Sequence, residues 1–229
     1  MEIKHLAIIP DGNRRWARER GLELDLGYKE GLKKFYMVLK WLLEEIYISE
    51  ISFYILSYDN YVKRSVFEQK VFLNILKKEL DDIIEGKNEF LKIIESSKTK
   101  VNFFGSLNLL PKEIQEKINI IENKTKNNKN RILNILICYS GRREIIDAIK
   151  KIKNIEEIDE EKFKEYLWVK RDLDLVIRTG GYNRLSDLLL FQSAYAEIIV
   201  IDKYWPDITI DDIKKAINTY YNIRRNFGK

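Results

Sequence analysis

The sequence predicts an α/β fold: a single domain over residues 1–229, built on a mainly parallel, six-stranded sheet flanked by helices. Three observations predict it. Short apolar runs alternate with amphipathic helical stretches from end to end. The runs consist of Ile, Leu, Val, Phe and Tyr with little polar alternation, which marks strands buried on both faces of a parallel sheet. No repeat, low-complexity tract or Pro/Gly linker divides the chain, and 229 residues suffice for one substantial core.

The elements follow in order. Residues 6–9 are a strand that runs into the turn Pro10-Asp11-Gly12-Asn13. Residues 14–20 are helical and Gly21 stops them. Residues 28–46 form an amphipathic helix with Leu32, Phe35, Val38, Leu39 and Leu42 at helical spacing. A second strand, 50–57, leads into a polar, aromatic loop, 57–64. Helices over 66–84 and 88–96 precede a third strand, 100–104, closed by Gly105. Residues 111–124 are a helix with Pro111 in its first turn. A polar loop, 126–131, leads to the fourth strand, 132–139, and a helix over 142–151. Asp159 caps a helix over 159–167. The fifth strand is 173–177, followed by a helix over 185–194, the sixth strand 197–201 and a last helix over 210–225.

Composition narrows the chemistry. His5 is the only histidine, so metal sites built from several histidines are excluded, and a serine or cysteine triad has one base to draw on. Carboxylates, arginines, amides and hydroxyls remain, a set that suits hard cations such as Mg²⁺ and anionic substrates. The single cysteine, Cys138, lies in an apolar run and reads as core; it forms no internal disulfide. The N-terminal residues lack a signal-peptide pattern, and no apolar run approaches the ~20 residues that span a bilayer, so a cytoplasmic location is the default expectation. The net charge of +5 raises nucleic-acid binding. Lysines stand beside glutamates, as in Lys29-Glu30 and Lys112-Glu113, which marks solvated helix faces and argues against that partner. A modest positive excess suits small phosphorylated ligands.

In parallel sheets ligands bind outside the carboxyl ends of the strands, and the informative residues fall there. Asp11-Gly12-Asn13-Arg14-Arg15 combines a carboxylate, a turn, an amide and two guanidiniums at a helix start. The carboxylate either caps the helix or bridges phosphate oxygens through a divalent cation; composition leaves both open. The loop from Arg178 to Ser186 carries Gly180-Gly181, which admits close backbone approach, and Arg178 and Arg184, each able to grip phosphate bidentately.

Together these residues resemble the cis-prenyltransferase family, the undecaprenyl diphosphate synthases and isoprenyl transferases. The family's opening motif stands as His5-Leu-Ala-Ile-Ile-Pro-Asp-Gly-Asn-Arg-Arg-Trp-Ala17, with Pro10 where the family has Met. Its Asp-Leu-Val-Ile-Arg-Thr-Gly-Gly motif is met by Asp174 to Ser186, its Ala-Tyr-Ala-Glu motif by Leu189 to Glu197, its Trp-Pro-Asp by Trp205 to Asp207, and its Asn-and-Gly-Arg segment by Leu133 to Arg142. The matches keep family order and cover the chain. The resemblance implies a Mg²⁺-dependent transferase that condenses isopentenyl diphosphate with an allylic prenyl diphosphate to give a cis-polyprenyl diphosphate. It implies an apolar tunnel for the product, a homodimer (a heterodimer in some lineages), and peripheral membrane contact for product release. It assigns Asp11 to the metal and to catalysis, with Glu197 as a second metal residue, in some members from the neighbouring subunit. Gly12, Asn13, Arg14 and Arg15 fall to the allylic diphosphate, and Trp16 is carried as a substrate-binding position. Arg178, Arg184 and Ser186 fall to isopentenyl diphosphate. Ser57 and Asn60 lie near the condensation site, Asn60 as a catalytic residue.

The chain departs from the family pattern on the acceptor side. Tyr28 replaces a family histidine, Leu24 a basic residue, Tyr61 a tryptophan and Lys63 an arginine, and the C-terminal Arg-x-Gly reads Asn226-Phe227-Gly228, with Arg224 and Arg225 close by. Tyr28, Tyr61 and Lys63 are carried as substrate-binding positions. Each lost charged phosphate contact weakens binding by roughly 1.5–3 kcal/mol. The expectation is retained diphosphate ionisation with an unusual acceptor or a shorter product, to which bulky Ile55 and Tyr58 also point. The competing reading, a non-catalytic partner subunit, predicts loss of the aspartate, and Asp11 is present.

Overall fold

The computed structural model describes residues 2–223; the expectations for 224–228 lie outside the described residues. Six strands, β1 (His5–Ile9), β2 (Glu50–Ser57), β3 (Thr99–Phe104), β4 (Arg131–Tyr139), β5 (Leu175–Thr179) and β6 (Glu197–Ile201), form one sheet in the order β3-β4-β2-β1-β5-β6. All five pairings are parallel. Every residue of β1 and β5 is buried, as expected for strands covered on both faces. Nine helices lie among the described residues: α1 (Asn13–Glu19), α2 (Leu24–Glu45), α3 (Tyr58–Lys63), α4 (Val66–Ile84), α5 (Phe90–Ser96), α6 (Lys112–Thr125), α7 (Gly141–Lys151), α8 (Glu160–Lys164) and α9 (Ile210–Asn222).

The topology fixes where a ligand can go. From β1 the chain moves to β2 on one side, and later returns to β5 on the other. The strand order therefore reverses between β1 and β5, and the crevice opens at their carboxyl ends. Asp11 follows β1 and Arg178 lies within β5 near its end, so both meet at this switch point.

The two faces of the sheet are unequal. Leu6 and Ile8 join the larger core under α2, α4, α5, α6 and α9, while Ala7 and Ile9 face a smaller cluster with Tyr139, Val169, Val176, Leu188 and Leu189. Helix α4 opens on a capping box: Ser65 Oγ accepts from Glu68 N at 3.2 Å and Glu68 Oε2 from Ser65 N at 3.3 Å. Helix α2 begins at Leu24, four residues before the expected start, and Tyr58–Lys63 is a helix where a loop was expected. Ser57 supplies its cap, accepting from Asn60 N at 3.0 Å.

The helix expected over 185–194 does not form. Ser186, Asp187 and Leu189 take φ of 52°, 67° and 38°, which breaks helical continuity. Tertiary bonds hold the segment in turns. The Asp187 carbonyl accepts from Gly141 N at 2.8 Å and its carboxylate from Arg142 N at 3.1 Å, so it satisfies donors at the start of α7. Buried Glu144 accepts from Val169 N at 2.9 Å and Gln192 Nε2 at 3.3 Å, anchoring the far end of the segment.

At the amino edge of the sheet His5 is fully buried. Its Nδ1–H donates to the Arg171 carbonyl at 3.0 Å, and its Nε2 accepts from Ser52 Oγ at 2.8 Å. Burial holds its pKa below the ordinary value, outweighing the nearby Glu50 carboxylate. The folded state therefore binds this proton less readily than the unfolded chain. Its contribution to stability is complete above about pH 6.5 and is lost as the pH falls. Thermal melts from about pH 8 to pH 5 should show the midpoint dropping below that value, with a smaller drop in His5→Gln.

Candidate active site

Asp11 is fixed through its backbone before its side chain does anything. Its carbonyl accepts from Thr179 Oγ1 at 2.7 Å and from Trp205 N at 3.0 Å. Its carboxylate then projects into the crevice, where Oδ2 pairs with Arg178 Nη2 at 2.8 Å and Oδ1 lies 3.3 Å from Arg15 Nη2. Arg178 is 3 % exposed, and its other nitrogen, Nη1, donates to Ser186 Oγ at 2.7 Å and to the Arg184 carbonyl. The left-handed turn at Ser186 is what turns that hydroxyl toward the guanidinium. Gly180, at φ +85°, passes so close to Arg15 that a Cβ there would sit 2.5 Å from Nη2. The Tyr182 ring lies 4.4 Å from the Arg15 guanidinium, 4.1 Å from that of Arg184 and 6.0 Å from that of Arg178, a stacking platform for three cations.

Asn13 opens α1 beside this cluster. Its Nδ2 donates to the Pro10 carbonyl at 3.2 Å, and α2 packs against it so closely that a Cβ on Gly31 would meet Asn13 Oδ1 at 2.2 Å. Arg14 crosses to α4 and pairs with Glu68 at 2.5 Å.

From this polar head a cavity of about 1630 Å³ runs down between the sheet and helices α2 and α4. Most of its deep wall is apolar: Phe35, Leu76, Leu80, Ile83, Phe90 and Phe103 line it. Ile55 and Tyr58 line it near the head, with Ser57 and Asn60. Five buried polar atoms in or beside the head have no hydrogen-bond partner: Asn13 Oδ1, Arg15 Nη2, Tyr28 Oη, Arg64 Nε and Arg178 Nε. Buried polar groups are normally satisfied, so this cluster marks a place prepared for a polar ligand. Three of the five belong to guanidiniums, donors that suit an anion.

Most of the expected site residues converge here. Asp11, Gly12, Asn13, Arg14, Arg15, Tyr28, Ser57, Asn60, Arg178, Arg184 and Ser186 all line the cavity. Four do not. The Trp16 indole N–H donates to Asp207 at 2.7 Å on the far side of α1. Tyr61 is buried and donates to the Leu109 carbonyl at 3.3 Å. Lys63, 74 % exposed, pairs with Asp59 one helical turn back at 2.7 Å and faces solvent. Glu197 begins β6, the edge strand two places from β1. It is in register with Leu175, whereas Asp11 lies beyond Ile9, which pairs with Arg178. Three residues of strand separate those two levels, roughly 10 Å, so one ion cannot touch both carboxylates of the same chain.

Arg64, overlooked in favour of Lys63, is the basic residue that lines the cavity from this segment. Its guanidinium lies 5.5 Å from the Tyr28 ring and 5.8 Å from that of Phe72. Burial raises the Tyr28 hydroxyl's pKa, which keeps it a neutral donor. The cavity thus keeps a cation from this segment although Lys63 faces solvent. Tyr182 and Arg143, the latter 3.5 Å over the Tyr58 ring, were also missed. Cys138 is buried as expected, and burial pushes its thiol up to about 12, so it is inert.

Among the described residues no three acidic, histidine or cysteine side chains cluster as a metal cage. One carboxylate facing several anion-binding donors is nevertheless a fit for magnesium, which takes one or two carboxylates and completes its shell with phosphate oxygens and water.

A family model described as putative undecaprenyl diphosphate synthase matches residues 9–228. The chain belongs to the undecaprenyl diphosphate synthase family. It is 40 % identical, over 98 % of its length and 87 % of the relative's, to the tritrans,polycis-undecaprenyl-diphosphate synthase (geranylgeranyl-diphosphate specific) of Sulfurisphaera tokodaii. The enzyme of that name from Thermoplasma acidophilum is 37 % identical over 99 % of this chain and 89 % of its own. The crystal structure of lavandulyl diphosphate synthase from Lavandula x intermedia, in complex with dimethylallyl diphosphate, superposes with a TM-score of 0.89 at 27 % identity, covering 99 % of this chain and 98 % of that one. A probable undecaprenyl diphosphate synthase from Campylobacter jejuni gives 0.80 at 31 % identity, with both chains fully covered. The chain is thus a prenyltransferase of the prenyl diphosphate synthase kind. Among the described residues no helix is long and apolar enough to cross a membrane.

Proposed function

We propose that this chain is a magnesium-dependent, cytoplasmic enzyme that extends an allylic prenyl diphosphate with isopentenyl diphosphate to a cis-polyprenyl diphosphate. The observation that carries the reading is the union of one half-buried carboxylate, buried guanidinium nitrogens that lack a hydrogen bond and a deep, mostly apolar cavity in one crevice. That is a head-and-tail match for a prenyl diphosphate. The names of the relatives point to geranylgeranyl diphosphate as primer and an undecaprenyl product.

Asn13, Arg14, Arg15 and the Gly12 turn would hold the allylic diphosphate, and Arg178, Arg184 and Ser186 the diphosphate of the acceptor. Asp11 would hold magnesium, which when bound offsets negative charge on the departing diphosphate. The C1–O bond of the primer breaks with its electron pair leaving on the diphosphate. The acceptor alkene forms the new bond to the allylic cation, and the acceptor then loses a proton. Arg15, which would sit against the primer's diphosphate, would stabilise the charge that develops on the leaving group. The apolar wall keeps water from the cation.

Pairing of two copies is supported by the sheet's last strand, where Ile198 is 37 % exposed and Tyr195, just before it, 79 %. A metal role for Glu197, on that strand, would run through such a dimer. Membrane contact for product release is supported by Val66 and Phe67, 67 % and 66 % exposed at the start of α4. Incubating the purified chain with labelled isopentenyl diphosphate and a series of allylic primers tests the reading. Label should enter an extractable polyprenyl product with magnesium and stop with a chelator. No incorporation from any primer, with activity appearing only when a second homologue is added, would replace it with the partner-subunit reading.

A further inference from the structure

The cavity's deep end is not wholly apolar. Glu79, on α4, projects among the aromatic and aliphatic residues that line it, and burial raises its pKa. Tyr36, on α2, donates its hydroxyl to Glu79 Oε1. Asn88 Nδ2 donates to the same oxygen at 2.7 Å and lies 3.4 Å from the Tyr36 hydroxyl. Asn88 is in turn fixed by accepting from Phe90 N at 3.0 Å. The Tyr36 ring is wedged edge-on between Phe35 and Phe90, with centroids 5.3 and 6.0 Å away. The carboxyl is thus tied to α2, α4 and the start of α5 at once, and it cannot swing aside as a surface glutamate would.

Its depth follows from helix geometry. Tyr28 faces Phe72 near the head and Tyr36 meets Glu79 at the floor, so α2 and α4 run side by side in the same direction. Eight residues of α2 separate Tyr28 from Tyr36, and eleven of α4 separate Glu68 from Glu79, which places the cluster about 12–16 Å below the head. An isoprenoid tail grows from the diphosphate end, so its first-made end is pushed toward this floor. Apolar carbon gains by displacing water from an apolar wall, but against a hydrogen-bonded carboxyl it gains nothing and strips that group of solvent.

We propose that Glu79, held by Tyr36 and Asn88, is a polar stop that sets the length of the prenyl chain the cavity accepts. This rests on the condensation reading above. The polar stop is specific to length: it lies away from the diphosphates and leaves the bond-forming step untouched.

The test is a pair of opposed substitutions in the full-length chain. Glu79→Met combined with Tyr36→Phe keeps volume while removing the polar atoms. Leu76→Gln places a polar group one turn nearer the head. The first is expected to lengthen the main product by at least one isoprene unit and the second to shorten it. Circular dichroism establishes which variants fold, and one folded variant suffices for a decision. Product lengths identical to the parent's in a folded variant overturn the proposal. Saturated alkyl diphosphates of increasing length supply a readout that needs no turnover. The longest tail bound by the parent should be exceeded in the Met/Phe variant, and an unchanged limit also overturns the stop. A parent that binds these ligands but makes no product would sink the activity reading alone.

Discussion

Asp11→Asn is expected to lower kcat/KM for condensation by at least about 10²-fold, with little change in melting temperature. The carboxylate pairs with both Arg15 and Arg178, so a cation held at this point of the head depends on it. The amide keeps the shape and can still accept from Arg178 Nη2 through its carbonyl oxygen. It lacks the charge that binds a hard cation. The stability effect is small because Asp11 is 30 % exposed, and a solvent-screened pair contributes only about 0–1 kcal/mol. Asp11→Ala differs. It leaves Nη2 of Arg178, almost fully buried, without any acceptor, and the melting temperature should fall along with activity. Steady-state kinetics with a thermal melt of each variant separates the two effects. Turnover in the Asn variant within tenfold of the parent would remove Asp11 from the metal site.

The turn that positions Asp11 was legible because its signals are local: four buried apolar residues, then Pro-Asp-Gly-Asn, at the end of a strand that could only be parallel. Arg178 was legible for the same reason, since it also lies at a strand's carboxyl end. The segment 185–194 was not. Its apolar spacing reads as a helix, but Asp187 and Gln192 are claimed by partners more than forty residues away in sequence. Those bonds override local propensity. The exchange of Lys63 for Arg64 had a readable cue that was passed over. Asp59 and Lys63 stand four apart, the spacing of an ion pair on one helix face, which commits the lysine to solvent and leaves its neighbour to turn inward. The polar floor had no such cue. Tyr36, Glu79 and Asn88 come from separate elements, and only the side-by-side packing of α2 and α4 brings the first two together.

Arg178→Lys should prove nearly as damaging as loss of the carboxylate, and its damage should fall on the acceptor. The guanidinium uses its two terminal nitrogens in opposite directions: Nη2 reaches Asp11 at 2.8 Å, while Nη1 reaches Ser186 Oγ at 2.7 Å and the Arg184 carbonyl. A lysine carries one nitrogen on a tetrahedral centre and cannot span both sides of that fork. Whichever side it keeps, the other loses a charge-assisted bond, roughly 1.5–3 kcal/mol each. If Lys keeps Asp11, the left-handed turn at Ser186 loses its anchor and Arg184, carried on the same loop, is no longer aimed at the head. About 3 kcal/mol corresponds to a hundredfold loss in kcat/KM. KM for isopentenyl diphosphate should rise, whereas KM for the allylic primer, which the proposed reading gives to Asn13, Arg14 and Arg15, should change little. Ser186→Ala removes one arm of the fork and should cost about tenfold on the same parameter. A lysine variant in which both KM values rise together would show that Arg178 serves the two diphosphates alike. That outcome would redraw the division of the head between primer and acceptor.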